Sequence, residues 1–187
     1  MVAEGRRQID QALGWYANCV DIYQIHNLVL WKEHLPVLED LRESGRIKII
    51  GVTHYSSGAF PELMQVMQTG RIQQIQIPYN VVDTQVEEEV LPLAGQLGIG
   101  VLVMRPLGKG VLARKPPSGG KLEPLKKFGV RTWPQALLKW ILSDLRVHCV
   151  IPATSKVERA IENGAAGEPP WFDEETRNYV KRIAISI

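Results

Sequence analysis

The sequence predicts an α/β fold built on parallel strands, from three observations. Short β-branched runs alternate with amphipathic helical runs, the ends of the short runs recur at near-regular spacing, and each short run terminates in polar residues. The short runs are Val20–His26, Ile47–Thr53, Ile72–Ile77, Gly100–Met104 and Val147–Ile151, and they end at 26, 53, 77, 104 and 151. The intervals of 27, 24, 27 and 47 residues correspond to three βα units and a fourth carrying an insertion of about twenty residues. Strict alternation demands parallel strands, because a parallel pair needs a helical crossover. Parallel sheets are covered on both faces or closed into a barrel.

Each element follows from local signals. Ile9, Leu13 and Tyr16 fall at helical spacing in an initial helix over 4–16. After the Val20–His26 strand, the helix Trp31–Ser44 buries Leu35, Leu38 and Leu41 and stops at Gly45. Ser57 is the expected cap of a helix over Pro61–Thr69, ended by Gly70. Thr84-x-x-Glu87 forms a capping-box pattern ahead of Val90, Leu93, Ala94 and Leu97, with Gly98 as the stop. Gly108–Val130, rich in Gly, Pro and Lys, interrupts the rhythm and reads as a long loop, mobile or extended. Thr132-x-x-Gln135, with Pro134 in the first turn, opens a helix whose one face carries Leu137, Leu138, Ile141 and Leu142. Ser155-x-x-Glu158 opens the next, and a last helix spans Asp173–Ala184.

Composition narrows the function classes. With 22 Lys+Arg against 20 Asp+Glu, the net charge of +2 lacks the clustered basic excess of a nucleic-acid binder. A hydrophobic content of 45% and charged content of 22% is an ordinary globular mixture. The longest apolar run, Ile99–Met104, falls far short of the ~18–20 residues of a membrane span. The start VAEGRRQID has no signal-peptide core, so the expected location is the cytoplasm. Two cysteines, Cys19 and Cys149, make neither a disulfide scaffold nor a four-ligand zinc site, and their apolar neighbours suggest buried positions. Neither H-E-x-x-H nor G-x-S-x-G occurs.

In parallel β/α folds the chemistry gathers at the C-terminal ends of the strands. Those ends hold His26–Asn27, Thr53–His54–Tyr55, Gln76 leading to Tyr79–Asn80, Arg105 to Gly110, and Thr154–Ser155–Lys156. Amide, imidazole, hydroxyl and cationic groups on one rim suit a small-molecule site. The last cluster is the most specific. A helix capped at Ser155 would present free N–H groups and a partial positive charge, with Lys156 and Arg159 beside them, as a phosphate needs. The alternative is a capped surface helix with solvated cations. Gly108 and Gly110 permit close backbone approach but lack phosphate-loop spacing. Among the histidines, His26 and His54 sit at strand ends, His34 on a helix surface, and His148 in a strand as a packed residue.

Five stretches in order (GRRQIDQALGWY with VDIYQIHN, then IKIIGVTHYSS, IQIPYN, VLVMRPLGKGVL and VIPATSKVERAIEN) resemble the aldo-keto reductase family between Gly5 and Asn163. IKIIGVTHYSS is similar to the family's I-G-V-S-N-F strand, and VIPATSKVERAIEN to its I-P-G-T-S-x-x-x-R-x-x-E-N motif. The resemblance implies an incomplete (β/α)8 barrel of TIM type, with about five parallel β/α units over 1–187 as a single partial domain, 108–130 as a long loop and 164–187 as a C-terminal extension. It implies NADPH or NADP as cofactor and a small-molecule carbonyl substrate, an aldehyde or ketone reduced to an alcohol. By position, His26 resembles the histidine that orients the substrate carbonyl. Thr53, His54 and Gln76 fall where the nicotinamide carboxamide is held, His54 standing in place of the usual Asn. Met104 takes the place of a stacking aromatic, and Arg105, Leu107 and Lys109 lie in the pyrophosphate-covering loop. Thr154, Ser155 and Arg159 match 2′-phosphate contacts, with Ala153 replacing a common lysine, and Glu162 and Asn163 match adenine contacts.

The family's other tetrad members, Asp, Tyr and Lys, belong to β/α units that the resemblance places ahead of Met1. Hydride transfer to a carbonyl needs a general acid for the developing alkoxide. The expected activity of this chain alone is therefore weak or absent. The alternatives are a non-catalytic NADP(H)-binding or regulatory module, or a truncated gene product. No metal, nucleic-acid or membrane partner is expected, and open strand edges favour self-association.

Overall fold

The computed structural model describes residues 2–186. Strands β1 (Val20–His26), β2 (Ile47–Thr53), β3 (Gln74–Pro78), β4 (Gly100–Met104) and β5 (Cys149–Val150) form one sheet in chain order. The ladders β1–β2, β2–β3 and β4–β5 are parallel. The helices are α1 (Val2–Trp15), α2 (Trp31–Glu43), α3 (Phe60–Gln68), α4 (Val90–Leu97), α5 (Trp133–Leu142), α6 (Val157–Ala165) and α7 (Glu174–Ser186). Three strands match the sequence expectation. β3 starts later because the Gln73 side-chain Oε1, not the backbone, takes the Ile50 N–H at 3.0 Å. β5 shrinks to two residues at the end of the strand order.

The chain packs as two compact units, Met1–Gln76 with Pro92–Gly100, and Ile77–Leu91 with Val101–Ile187. In the first, alternation sends Ile25, Ile50, Val52 and Ile75 into the core, where Leu35 and Leu38 of α2 and Leu63, Val66 and Met67 of α3 are also buried. Each such side chain contributes about 1.5–3 kcal/mol relative to exposure. Arg71 forks onto both Glu39 oxygens at 2.8 and 2.6 Å, tying α2 to the approach to β3. Gly45, Gly70 and Gly98 end their helices with φ of 74°, 70° and 65°, as their sequence positions predict.

In the second unit α5 is buried on nearly every side, and its Thr132/Gln135 capping box forms as expected. Tyr79, fully buried, donates its hydroxyl proton to Glu87 Oε1 at 2.5 Å. Arg177 of α7 donates to the Tyr79 oxygen at 2.8 Å and lies 3.4 Å from Glu87 and 3.7 Å from Asp144. Its guanidinium stacks over Trp140 at 4.6 Å. Arg146 forks onto Asp144 at 2.8 and 2.7 Å. The Lys139 ammonium, buried in α5, donates to the carbonyls of Glu168 and Pro170.

Several expectations are corrected. Thr84 caps nothing, because its box partner Glu87 is drawn to Tyr79 and Arg177. Ser56, not Ser57, accepts from Gly58 N at the turn ahead of α3. α1 stops at Trp15, and Tyr16 is exposed, because Ala17 and Asn18 turn left-handed at φ of 54° and 59°. Both cysteines are exposed, Cys19 in the turn before β1 and Cys149 on the edge strand β5. His148 is exposed too, its Nδ1 accepting from Val101 N. The 108–130 segment is anchored rather than extended: it buries Leu125, Phe128 and Val130, and Phe128 meets Phe172 edge-on at 5.0 Å. Among the described residues, no helix is long and apolar enough to cross a membrane.

Asp144 gives the unit an acid limit. Burial alone would raise its pKa, but the hydrogen bonds and charge of Arg146 and the charge of Arg177 outweigh it and hold the carboxyl below the usual aspartate range. A carboxyl depressed in the folded state stabilises above its unfolded pKa and loses that contribution as pH falls through the folded one. We expect Asp144→Asn to cost about 2–3 kcal/mol at neutral pH and to flatten the decline in stability below about pH 4. Urea unfolding as a function of pH reads both; an unchanged acid slope would exclude Asp144 as its source.

Candidate functional site

In the first unit, register builds a row of polar side chains. In the parallel ladders His26 stands opposite Thr53, and Thr53 opposite Gln76, so the C-terminal ends of β1 and β2 and the middle of β3 present one row. Two residues earlier, on the same face, lies a second row of Gln24, Gly51 and Gln74. Because Gly51 has no side chain, Gln24 reaches across it and donates to Gln74 Oε1 at 2.7 Å. A Cβ at Gly51 would come within 2.1 Å of that oxygen. Thr53 and Gln74 are 4% and 3% exposed, and Thr53 Oγ1 and Gln74 Nε2 are buried with no partner among the described residues. An unpaired buried polar atom costs about 1–3 kcal/mol, so this row stands ready for a ligand's polar group.

His54 follows Thr53 just past the end of β2. Its N–H donates to the Gln76 carbonyl at 3.3 Å, its Nδ1 accepts from Ser56 N at 3.0 Å, and its ring stacks on Tyr55 at 5.3 Å with planes 13° apart. His26 is exposed. Directly after it Asn27, Leu28 and Leu30 take positive φ of 52°, 56° and 48°, a rare run for residues with side chains. A cavity of 360 Å³ lined by Tyr23, Gln24, His26 and His34 opens beside this turn. His34 is half-buried rather than on the surface, since Gly5 lets its ring come close to the α1 backbone.

In the second unit, backbone shapes the loop after β4. Tyr79 N donates to Met104 O at 3.3 Å, which extends the ladder to the end of β4. Asn80, 4% exposed, accepts from Val82 and Asp83 N–H groups and donates to the Arg105 carbonyl at 3.3 Å. Arg105, Gly108, Lys109 and Gly110 have φ of 55°, 55°, 58° and 86°. For the two non-glycines this costs about 1 kcal/mol each. The loop carrying Arg105, Leu107 and Lys109 is thereby curled by Gly108 N to Arg105 O and Gly110 N to Leu107 O bonds of 3.0 and 2.8 Å. Sequence reasoning placed Asn80 on the rim without a partner and missed Gln24 and Gln74; the partners of all three lie far along the chain.

At α6 the expected Ser155 cap does not form. Lys156 occupies the N-cap position without a side-chain cap, and Thr154 Oγ1 accepts the Lys156 N–H at 3.2 Å. The first-turn N–H groups stay free, so the electrostatic basis for an anion remains. Arg159 is exposed, with no ion pair to it among the described residues. Glu162 is engaged: its carboxylate accepts the Thr132 hydroxyl and its carbonyl accepts from Gln135 Nε2. A groove of 830 Å³ is lined by His148, Thr154, Ala160, Asn163 and Trp171, a volume that admits a nucleotide. Of the tyrosines, Tyr23 and Tyr79 have pKa values raised by burial, in Tyr79 with Glu87 adding to it.

The sequence model of the aldo/keto reductase family matches residues 13–185. A probable aldo-keto reductase 1 of Glycine max is 25% identical over 195 residues, covering 89% of this chain and 56% of its own length. An NADH-specific methylglyoxal reductase of Escherichia coli is 26% identical, over 79% of this chain and 54% of its own. The chain thus spans about half the length of these curated relatives. The aldo/keto reductase of Klebsiella pneumoniae solved with NADP and acetate superposes with a TM-score of 0.74 at 21% identity, over 96% of this chain and 64% of that one. That likeness shows the fold, a β/α barrel type of which five strands are present here.

The orphaned Thr53 hydroxyl gives a direct test. We expect Thr53→Val to leave the protein as stable or up to about 1 kcal/mol more stable, while lowering its affinity for a ligand whose polar group meets this hydroxyl. Thermal unfolding beside a fluorescence titration measures both. A loss of about 2 kcal/mol in stability would mean the hydroxyl is already satisfied.

Proposed function

The chain belongs to the aldo/keto reductase family, and from that premise we propose that its strand ends bind NADP(H) and serve reduction of an aldehyde or ketone to an alcohol. The row of His26, Thr53 and Gln76, with its buried unpaired hydroxyl, carries this reading. Thr53, His54 and Gln76 offer a hydroxyl, an imidazole and an amide to a carboxamide, and His26, exposed beside them, orients the substrate oxygen. The Met104 thioether covers an aromatic ring face. The curled Arg105–Gly110 backbone presents Arg105, Leu107 and Lys109 to a pyrophosphate. Thr154, Ser155 and Arg159 at the uncapped start of α6 take a 2′-phosphate, and Asn163, with the unengaged part of Glu162, meets adenine. When bound, the cofactor supplies the hydride.

Proton delivery limits the chain by itself. Tyr79 is buried and its hydroxyl committed to Glu87, and no described residue matches the family's proton-donor motif. We therefore propose binding with weak turnover for the 187 residues alone; the second reading, a non-catalytic NADP(H)-binding module, is favoured by the same observation. Among the described residues β1 and β5 each have one strand neighbour, and we propose that these edges lead the isolated chain to pair with a second copy.

NADPH fluorescence titration tests the phosphate assignment. Arg159→Ala should weaken NADPH about tenfold and leave NADH unchanged; equal affinities before and after the change would remove it. Strong oxidation of NADPH against simple aldehydes by the pure chain would reveal a proton donor absent from this reading. Light scattering after size exclusion should give more than a monomer mass, and a stable monomer would exclude edge pairing.

A further inference from the structure

His54 differs from an amide side chain in one chemical respect. Asn offers a donor and an acceptor and rotates to present either, whereas a neutral imidazole has one of each, on opposite sides of the ring. The Ser56 backbone N–H is a donor only, and it points at His54 Nδ1 at 3.0 Å, so Nδ1 carries a lone pair and the ring proton resides on Nε2. The Tyr55 ring lies 5.3 Å from the imidazole and nearly parallel to it, at 13°, which restricts rotation about the side chain. The His54 backbone is fixed as well, through its N–H to Gln76 O.

We propose that Ser56 and Tyr55 are positioning residues that hold His54 as a donor-only group, so that it contacts the carbonyl oxygen of a nicotinamide carboxamide and never its amino group. This rests on the cofactor reading above. It makes the chain tolerant, at this contact, of pyridine nucleotides that keep a carbonyl at ring position 3 and lack the amino group. Thr53 and Gln76 remain to meet the amino side.

Two measurements test it. Nitrogen-15 NMR of the histidine side chains in the ligand-free chain should show His54 protonated at Nε2, with Nδ1 unprotonated. Titrations with NADP+ and with its 3-acetylpyridine analogue, each on the unaltered chain and on His54→Phe, form a cycle. The substitution should weaken both ligands by the same factor, about tenfold, because both keep the carbonyl. Tyr55→Leu should weaken both about threefold and Tyr55→Phe neither, since phenylalanine preserves the stack. A His54→Phe effect on NADP+ that vanishes with the analogue would place the contact at the amino group and overturn the proposal. An Nδ1–H signal with binding intact overturns this inference alone. An Nε2–H signal in a chain that binds neither ligand overturns the cofactor reading and the selective contact with it.

Discussion

The parallel register that places His26, Thr53 and Gln76 side by side constrains everything at this end of the sheet. Side chains alternate with period two, so a slip of one residue in β2 would send Thr53 toward the helices and Val52 into the row. The apolar set prevents it: Ile50 and Val52 are both fully buried, and exposing them would cost about 3–6 kcal/mol together. Packing on one face therefore fixes chemistry on the other, although no residue does both.

A different economy holds in the second unit. There the strand end and loop are governed by polar pairs rather than apolar alternation. Asn80 clasps the Arg105 carbonyl while Tyr79, its chain neighbour, is held by Glu87 and Arg177. One dipeptide thus faces two ways: toward the loop that precedes Lys109, and toward the helix that closes the chain. Of the left-handed residues of that loop, Arg105 has its carbonyl met by Gly108 N–H and by Asn80, Gly108 has its carbonyl met by Val111 N–H, and Gly110 N–H donates to Leu107.

What the sequence made legible was whatever depends on local pattern. Strand ends at His26, Thr53 and Met104, glycine stops and the Thr132 box all follow from spacing that tertiary structure does not contradict. The row of His26, Thr53 and Gln76 was legible for the same reason, since matching positions on parallel strands become neighbours. Motifs with a competing partner were misread. Thr84-x-x-Glu87 has the letters of a box, but a buried tyrosine hydroxyl 8 residues away takes the carboxylate. At α6, Lys156 takes the N-cap position and Thr154, not Ser155, accepts its N–H. Exposure of Cys149 and His148 depends on which strand lies at an edge, which no local pattern encodes. The Gln24–Gln74 bond joins residues 50 apart through a gap defined by a third.

That gap has a wider consequence. Gly51 is where two amides from non-adjacent strands shake hands over an empty position, so the three positions are sterically coupled. A methyl group at 51 would displace the Gln74 amide and cost Gln24 its acceptor. Anyone reshaping the floor beneath the strand tips therefore has to treat residues 24, 51 and 74 together.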